Sequence, residues 1–280
     1  MIENPLRFAL ASMSMIAALG ITGGISHAQT SMYAEPELGL SFVGSTLSGT
    51  YSGVTTSSPY AQVPVSVVPY FDVGLTLNED MNIGVRASSV QGLSFDIGDK
   101  DFIRASVFAD LTGFNPSPVA GLARPGPAIE TGGRITYRYD LFEVGAQASY
   151  IFASPFGEFD AVETAGFRGE LWAGANLPLS RKFNLSGQVA LGFADASHNV
   201  YFYGVTPAMA AQSGLAEYAP GAGLTVFSTR LTGRYTFTAN WAVQAGIEMQ
   251  SQIGVAWDSP LVIEAGRIGW QGDLGLIYRF

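Results

Sequence analysis

Residues Ile268–Phe280, IGWQGDLGLIYRF, close the chain and decide how the rest of it reads. Every second position carries Ile268, Trp270, Gly272, Leu274, Leu276, Tyr278 and Phe280; between them stand Gly269, Gln271, Asp273, Gly275, Ile277 and Arg279. Side chains alternate faces along a strand, so the segment offers one apolar face and one mostly polar face. Such a strand fits the end of a soluble sandwich or a membrane barrel whose apolar face meets lipid. One strand does not choose between them; the repetition of the pattern upstream does.

Of the 280 residues 48% are hydrophobic and 13% charged. After the first thirty, no apolar run nears the ~20 residues that a spanning helix needs. That leaves a soluble protein with a large core or a barrel turned apolar side out. The 34 glycines and 12% aromatics favour strands and tight turns. With no cysteine, neither a disulfide framework nor thiolate chemistry is available. A net charge of −9, with lysine only at Lys100 and Lys182, excludes the basic footprint that nucleic acid requires.

Residues 1–28 read as a secretory signal peptide. Arg7 precedes the apolar segment Phe8–Leu19, and Ser26-His27-Ala28 supplies the small residues of a cleavage site. The mature chain then starts at Gln29, residues 29–280 form one domain, and His198 is its only histidine.

Alternation recurs along that domain. Glu37–Gly44 places Leu38, Leu40 and Phe42 on one face, and Ala61–Leu77 continues it through Val63, Val65, Val67, Phe71, Val73, Leu75 and Leu77. Pro64 and Pro69 cannot donate to a ladder, so a bulge or break is expected there. Asn78–Asn82 is a turn, and Ile83–Ser89 and Ile103–Leu111 follow as strands. Thr112–Pro127, with Gly126 inside it, is a proline-rich loop. Three hairpins then turn at Asp140-Leu141, at Pro178–Lys182 and at Thr238–Asn240. Aromatic residues gather beside these turns, as an interfacial girdle requires.

Strands of about ten alternating residues, with short turns at one end and long loops at the other, are the signature of a transmembrane barrel. Backbone groups cannot stay unpaired in lipid, so the sheet must close. Eleven strand-like segments are countable, whereas termini on one side of the membrane require an even number. Dividing 61–77 in two gives twelve strands; assigning 101–111 to an excursion gives ten. The expected fold is an all-β, antiparallel, up-and-down barrel of twelve strands, ten being the alternative, with short periplasmic turns and longer extracellular loops.

The inward faces collect Arg134, Arg138, Arg168, Arg230, Arg234 and Arg279 with Glu130, Glu143, Glu170, Glu248 and Asp273. In an open pore these charges would select ions; in a narrow barrel they pair and fill the lumen. Asp195 and His198, near the outer end of a strand, are the residues that could activate water in a hydrolase. No GxSxG elbow, metal cluster, phosphate loop or cofactor motif occurs, so no catalytic, cofactor-binding or metal residue is assigned. In the long loop Asn199–Pro220, Thr206-Pro207 reads as a cap followed by proline at the first helical position. A short helix over Ala208–Ser213, stopped by Gly214, is expected outside the membrane.

Ending on an aromatic residue, with Leu276 and Tyr278 at strand spacing below it, resembles the C-terminal signal of bacterial outer-membrane barrels. Tyr201-Phe202-Tyr203-Gly204-Val205-Thr206 with Ser213-Gly214-Leu215 and Tyr218 resembles the "YFGV…SGL..Y" segment of the MipA/OmpV family, the MltA-interacting outer-membrane proteins. Asp258–Val262 is similar to that family's "DSPxV" loop, and Pro64–Tyr70 to its "PxPxVxY" strand. Gly49–Gly53 departs from the family's "PxYxGS" segment, lacking the proline. The resemblance implies a non-enzymatic outer-membrane scaffold whose partners are a lytic murein transglycosylase and a bifunctional murein synthase. A small porin and a surface adhesin or antigen are the alternatives, and a hydrolase is the third reading.

Overall fold

Twelve strands pair in sequence order around a closed antiparallel barrel. The computed structural model describes residues 37–45, 65–78, 83–88, 92–98, 102–112, 125–155, 163–262 and 267–279. The expected signal peptide 1–28, the start at Gln29 and Phe280 lie outside them. The strands are β1 (Glu37–Ser45), β2 (Val65–Asn78), β3 (Ile83–Ser88), β4 (Gly92–Ile97), β5 (Ile103–Thr112), β6 (Pro125–Tyr139), β7 (Phe142–Pro155), β8 (Glu163–Pro178), β9 (Phe183–Ala194), β10 (Gly223–Thr236), β11 (Trp241–Gln252) and β12 (Ile268–Arg279). β1 closes the ring on β12, with Glu37 opposite Arg279 and Ser45 opposite Gln271.

The count of twelve holds, but not the division of 61–77 that led to it. β2 runs unbroken through Pro69, which sits in register with Leu40. Its irregularity lies lower, between Thr76 and Asn78. The strand missing from the reading is β4, where Leu93, Phe95 and Ile97 face out and Ser94 and Asp96 are buried. Six residues gave too little pattern to find it. The proline-rich loop is also shorter than expected: β6 takes in Pro125 and Gly126, leaving 113–124.

Burial runs opposite to that of a soluble protein. Val107 is 60% exposed, Leu274 52% and Ile247 50%, whereas Glu248 is 2% and Glu130 3% exposed. A sandwich in water would lose the transfer free energy of every outward Leu, Ile and Val; lipid recovers it.

The short turns hold themselves. Asp140 takes a positive φ of 54° in the two-residue turn between β6 and β7. Ser180 Oγ accepts the N–H groups of Lys182 and Phe183, and Thr238 Oγ1 those of Asn240 and Trp241. Each hydroxyl replaces a ladder partner that a tight turn removes. Beside these turns Tyr139, Phe142 and Trp241 are exposed, and Trp241 packs edge-on against Tyr278.

Candidate functional site

The barrel's interior is a network of ion pairs. Arg138 and Glu143 face each other across the β6–β7 turn and pair at 2.8 Å. Arg168 reaches across β7 to Glu130, which also accepts from Ser149 Oγ. Arg230 pairs with its register partner Glu248 at 3.5 Å and with Asp273 at 2.7 Å. All of these were expected as inward charges, and the structure brings them together.

Other members were not foreseen as lumen charges. Glu37, wholly buried, accepts from Arg234 at 2.6 Å and Arg279 at 3.0 Å. Asp72 pairs with Arg86 through two nitrogens. Their signal was available, since each alternates with outward-facing residues on its strand.

Arg134 is held differently. Its Nε and Nη2 donate to Gln147 Oε1 at 3.0 and 2.6 Å, and its guanidinium lies 5.3 Å from the Phe108 ring centre and 5.9 Å from that of Trp172. Gly145 makes this possible, because a Cβ there would collide with the Trp172 indole. Glu170 lies beyond Gln147 in register and joins none of the described ion pairs.

A cap covers the end with the long loops. Helix α1 (Ala196–Tyr203) and helix α2 (Pro207–Ser213) follow β9. α2 keeps the expected device: Thr206 Oγ1 accepts from Met209 N, proline leads the helix, and Gly214 is left-handed at φ 75°. Asp195 directly follows the last residue of β9, near a strand end as expected, and His198 is the third residue of α1. Phe202 and Tyr203 of α1 form an apolar cluster with Ile151 of β7, Ala165 of β8, and Ala256 and Val262 of the β11–β12 loop. Neutral hydrogen bonds fasten it: Tyr203 Oη to Gln252 at 3.2 Å, Ser259 Oγ to the Tyr203 carbonyl at 2.6 Å, and Tyr218 Oη to the Val255 carbonyl at 2.7 Å.

Asp195 is the N-cap of α1. Its Oδ1 accepts from the backbone N–H of His198 at 2.7 Å, not from the imidazole. The imidazole lies 4.3 Å from the Phe202 ring, with a buried, unpartnered Nδ1. Desolvation first, and the Arg168 charge second, push its pKa down to about 3. The two residues therefore build a helix start and do not form an acid–base pair. Burial likewise raises Tyr203 to about 12, so the cap is uncharged at both groups. Among the described residues no group of three or more His, Cys, Asp or Glu side chains is placed to hold a metal ion.

Solved structures similar to this chain are outer-membrane barrels. The NanC porin covers 86% of this chain and 100% of its own, at 8% identity and TM-score 0.45. The translocator domain of the autotransporter NalP from Neisseria meningitidis covers 99% and 98%, at 12% identity and TM-score 0.47. The KdgM porin covers 86% and 99%, at 9% identity and TM-score 0.39. No curated protein matches in sequence. The family model described as MltA-interacting protein MipA matches residues 38–280, from the second residue of β1 to the end of the chain, and the chain belongs to that family.

Proposed function

We propose that this protein is a non-conducting outer-membrane barrel that works by binding other proteins. The observation that carries this reading is the burial of the lumen charges. Glu248, Glu130, Asp72, Arg86 and Asp96 are all at most 6% exposed, as inaccessible as an apolar core. A water-filled channel would leave such side chains accessible. With the lumen filled and one mouth covered by α1, the surfaces left for function are the rims and loops.

The family's description names an interaction with MltA, and the resemblance read in the sequence makes the proposed partners a lytic murein transglycosylase and a bifunctional murein synthase. Residues 1–28 direct export, and the mature chain from Gln29 sits in outer-membrane lipid. Its periplasmic surface includes the turns at 140–141, 179–182 and 237–240. The exposed helix α2, with no buried residue, favours a second reading as a surface adhesin.

Two measurements on the purified full chain test the proposal. In planar bilayers it should pass no steady current, and from solubilised envelopes it should retain murein-cleaving and murein-synthesising activity on an affinity column. Steady ohmic conductance would replace the scaffold reading with a porin.

A further inference from the structure

We propose that the periplasmic end of the lumen holds a binding site for a small oxyanion, a carboxylate or phosphate group, centred on Arg104. Arg104 is the second residue of β5, at the end where the short turns lie. Its Nε and Nη2 are buried and meet no acceptor. Buried guanidinium nitrogens are normally bonded, and an exception calls for a ligand.

The register explains the exception. On β6 the residue opposite Arg104 is Thr136, and the diagonal neighbours on the same face are Arg134 and Arg138. Diagonal positions lie within reach of long side chains, so three guanidinium groups share one patch. Beyond the pair Ile97–Ala105 on the other side, the position facing Arg104 is Gly98, which brings no side-chain acceptor to the guanidinium. Ser106, two residues along β5, faces Asp96, which accepts Ser94 Oγ at 3.3 Å.

The neighbouring charged groups are engaged elsewhere and leave the Arg104 donors open. Arg86 is neutralised by Asp72 and Arg138 by Glu143. Arg134 spends its donors on the neutral Gln147 amide, with Glu170 on that residue's far side. Asp96 is the carboxylate beside Arg104 across β4–β5, yet Nε and Nη2 of Arg104 meet no acceptor. An oxyanion beside Arg104 would take its free donors in the bidentate geometry that guanidinium groups prefer.

This site is independent of the scaffold reading. The test is calorimetric titration of the refolded full chain in detergent with inorganic phosphate and, separately, with acetate, against a constant chloride background. One saturable equivalent is expected, at least tenfold weaker in Arg104→Gln, with the tighter of the two anions naming the group recognised. Heat-modifiable gel migration checks that each variant is folded. Thr136→Glu, which places a carboxylate opposite Arg104, should also abolish binding and serves if Arg104→Gln does not fold. No saturable binding, or unchanged binding in the folded variants, overturns the site.

Discussion

Glu37 and Arg279 lie 242 residues apart in sequence and face each other across the seam of the barrel, the carboxylate accepting from Nε and Nη2 of the guanidinium. Glu37 has no exposure, and Arg234 shares it. Glu37→Gln leaves two guanidinium groups without their carboxylate, and removing one partner of a buried pair costs about 3–5 kcal/mol. Arg279→Gln should cost much less, since Arg234 still neutralises Glu37 and the Arg279 side chain is 36% exposed. Urea titration of folding into lipid vesicles measures both; equal losses would deny that the seam is fastened through Glu37.

A pair of adjacent residues on β11 tests the inside-out arrangement. Ile247 is 50% exposed toward lipid, and Ile247→Arg should cost about 2–4 kcal/mol near the bilayer midplane. Glu248→Gln points inward and leaves Arg230 its 2.7 Å bond to Asp273, so its cost should be smaller. The comparison again comes from refolding titrations.

The cap should respond to acid. In the folded chain the His198 imidazole is pushed down to about 3, while an unfolded histidine titrates near ~6.5. Between these values the unfolded state binds the extra proton, so stability rises with pH. The contribution is complete above ~6.5 and is lost as pH falls toward about 3. Hydrogen exchange at Asn199–Tyr203 should therefore accelerate from pH 7 to pH 5 relative to its intrinsic rate, and His198→Phe should flatten that dependence. Identical slopes in the two proteins would show that another group carries it.

The chain has no cysteine, so single cysteines report topology cleanly. Gln212 and Asp258, exposed in the capped end, should react with an impermeant maleimide on intact cells. Ser180 and Asn240, exposed in the short turns, should react only after the outer membrane is opened. The reverse pattern inverts the protein in the membrane.

What the sequence made legible follows from how local each signal is. β6 to β12 show themselves because 12 to 16 residues of alternation are bounded by turn residues. The α2 helix is readable because a threonine, a proline and a glycine at fixed offsets cap it. Arg138–Glu143 follows from a two-residue turn, whereas Arg234–Glu37 exists only once the ring has closed. α1 escaped notice because ASHNVYFY contains poor helix formers and reads more like a strand. It is helical through the Asp195 cap and the burial of His198, Asn199, Phe202 and Tyr203 on one side. Arg104 could be placed inward by alternation, but its lack of a partner depended on the register with Gly98 and Thr136.

The β3–β4 hairpin gives the molecule a thin flank. Six residues of strand extend about 20 Å before tilt, against 12 to 16 residues in β6 to β12. A barrel's apolar band is ~25 Å tall, so lipid beside β3 and β4 meets a lower wall than lipid beside β8. Such a mismatch is relieved by shorter acyl chains gathering on that flank or by the barrel leaning toward it. The barrel is round in topology but has a bearing in the membrane, and neighbouring proteins that share its thickness preference will meet it on one side.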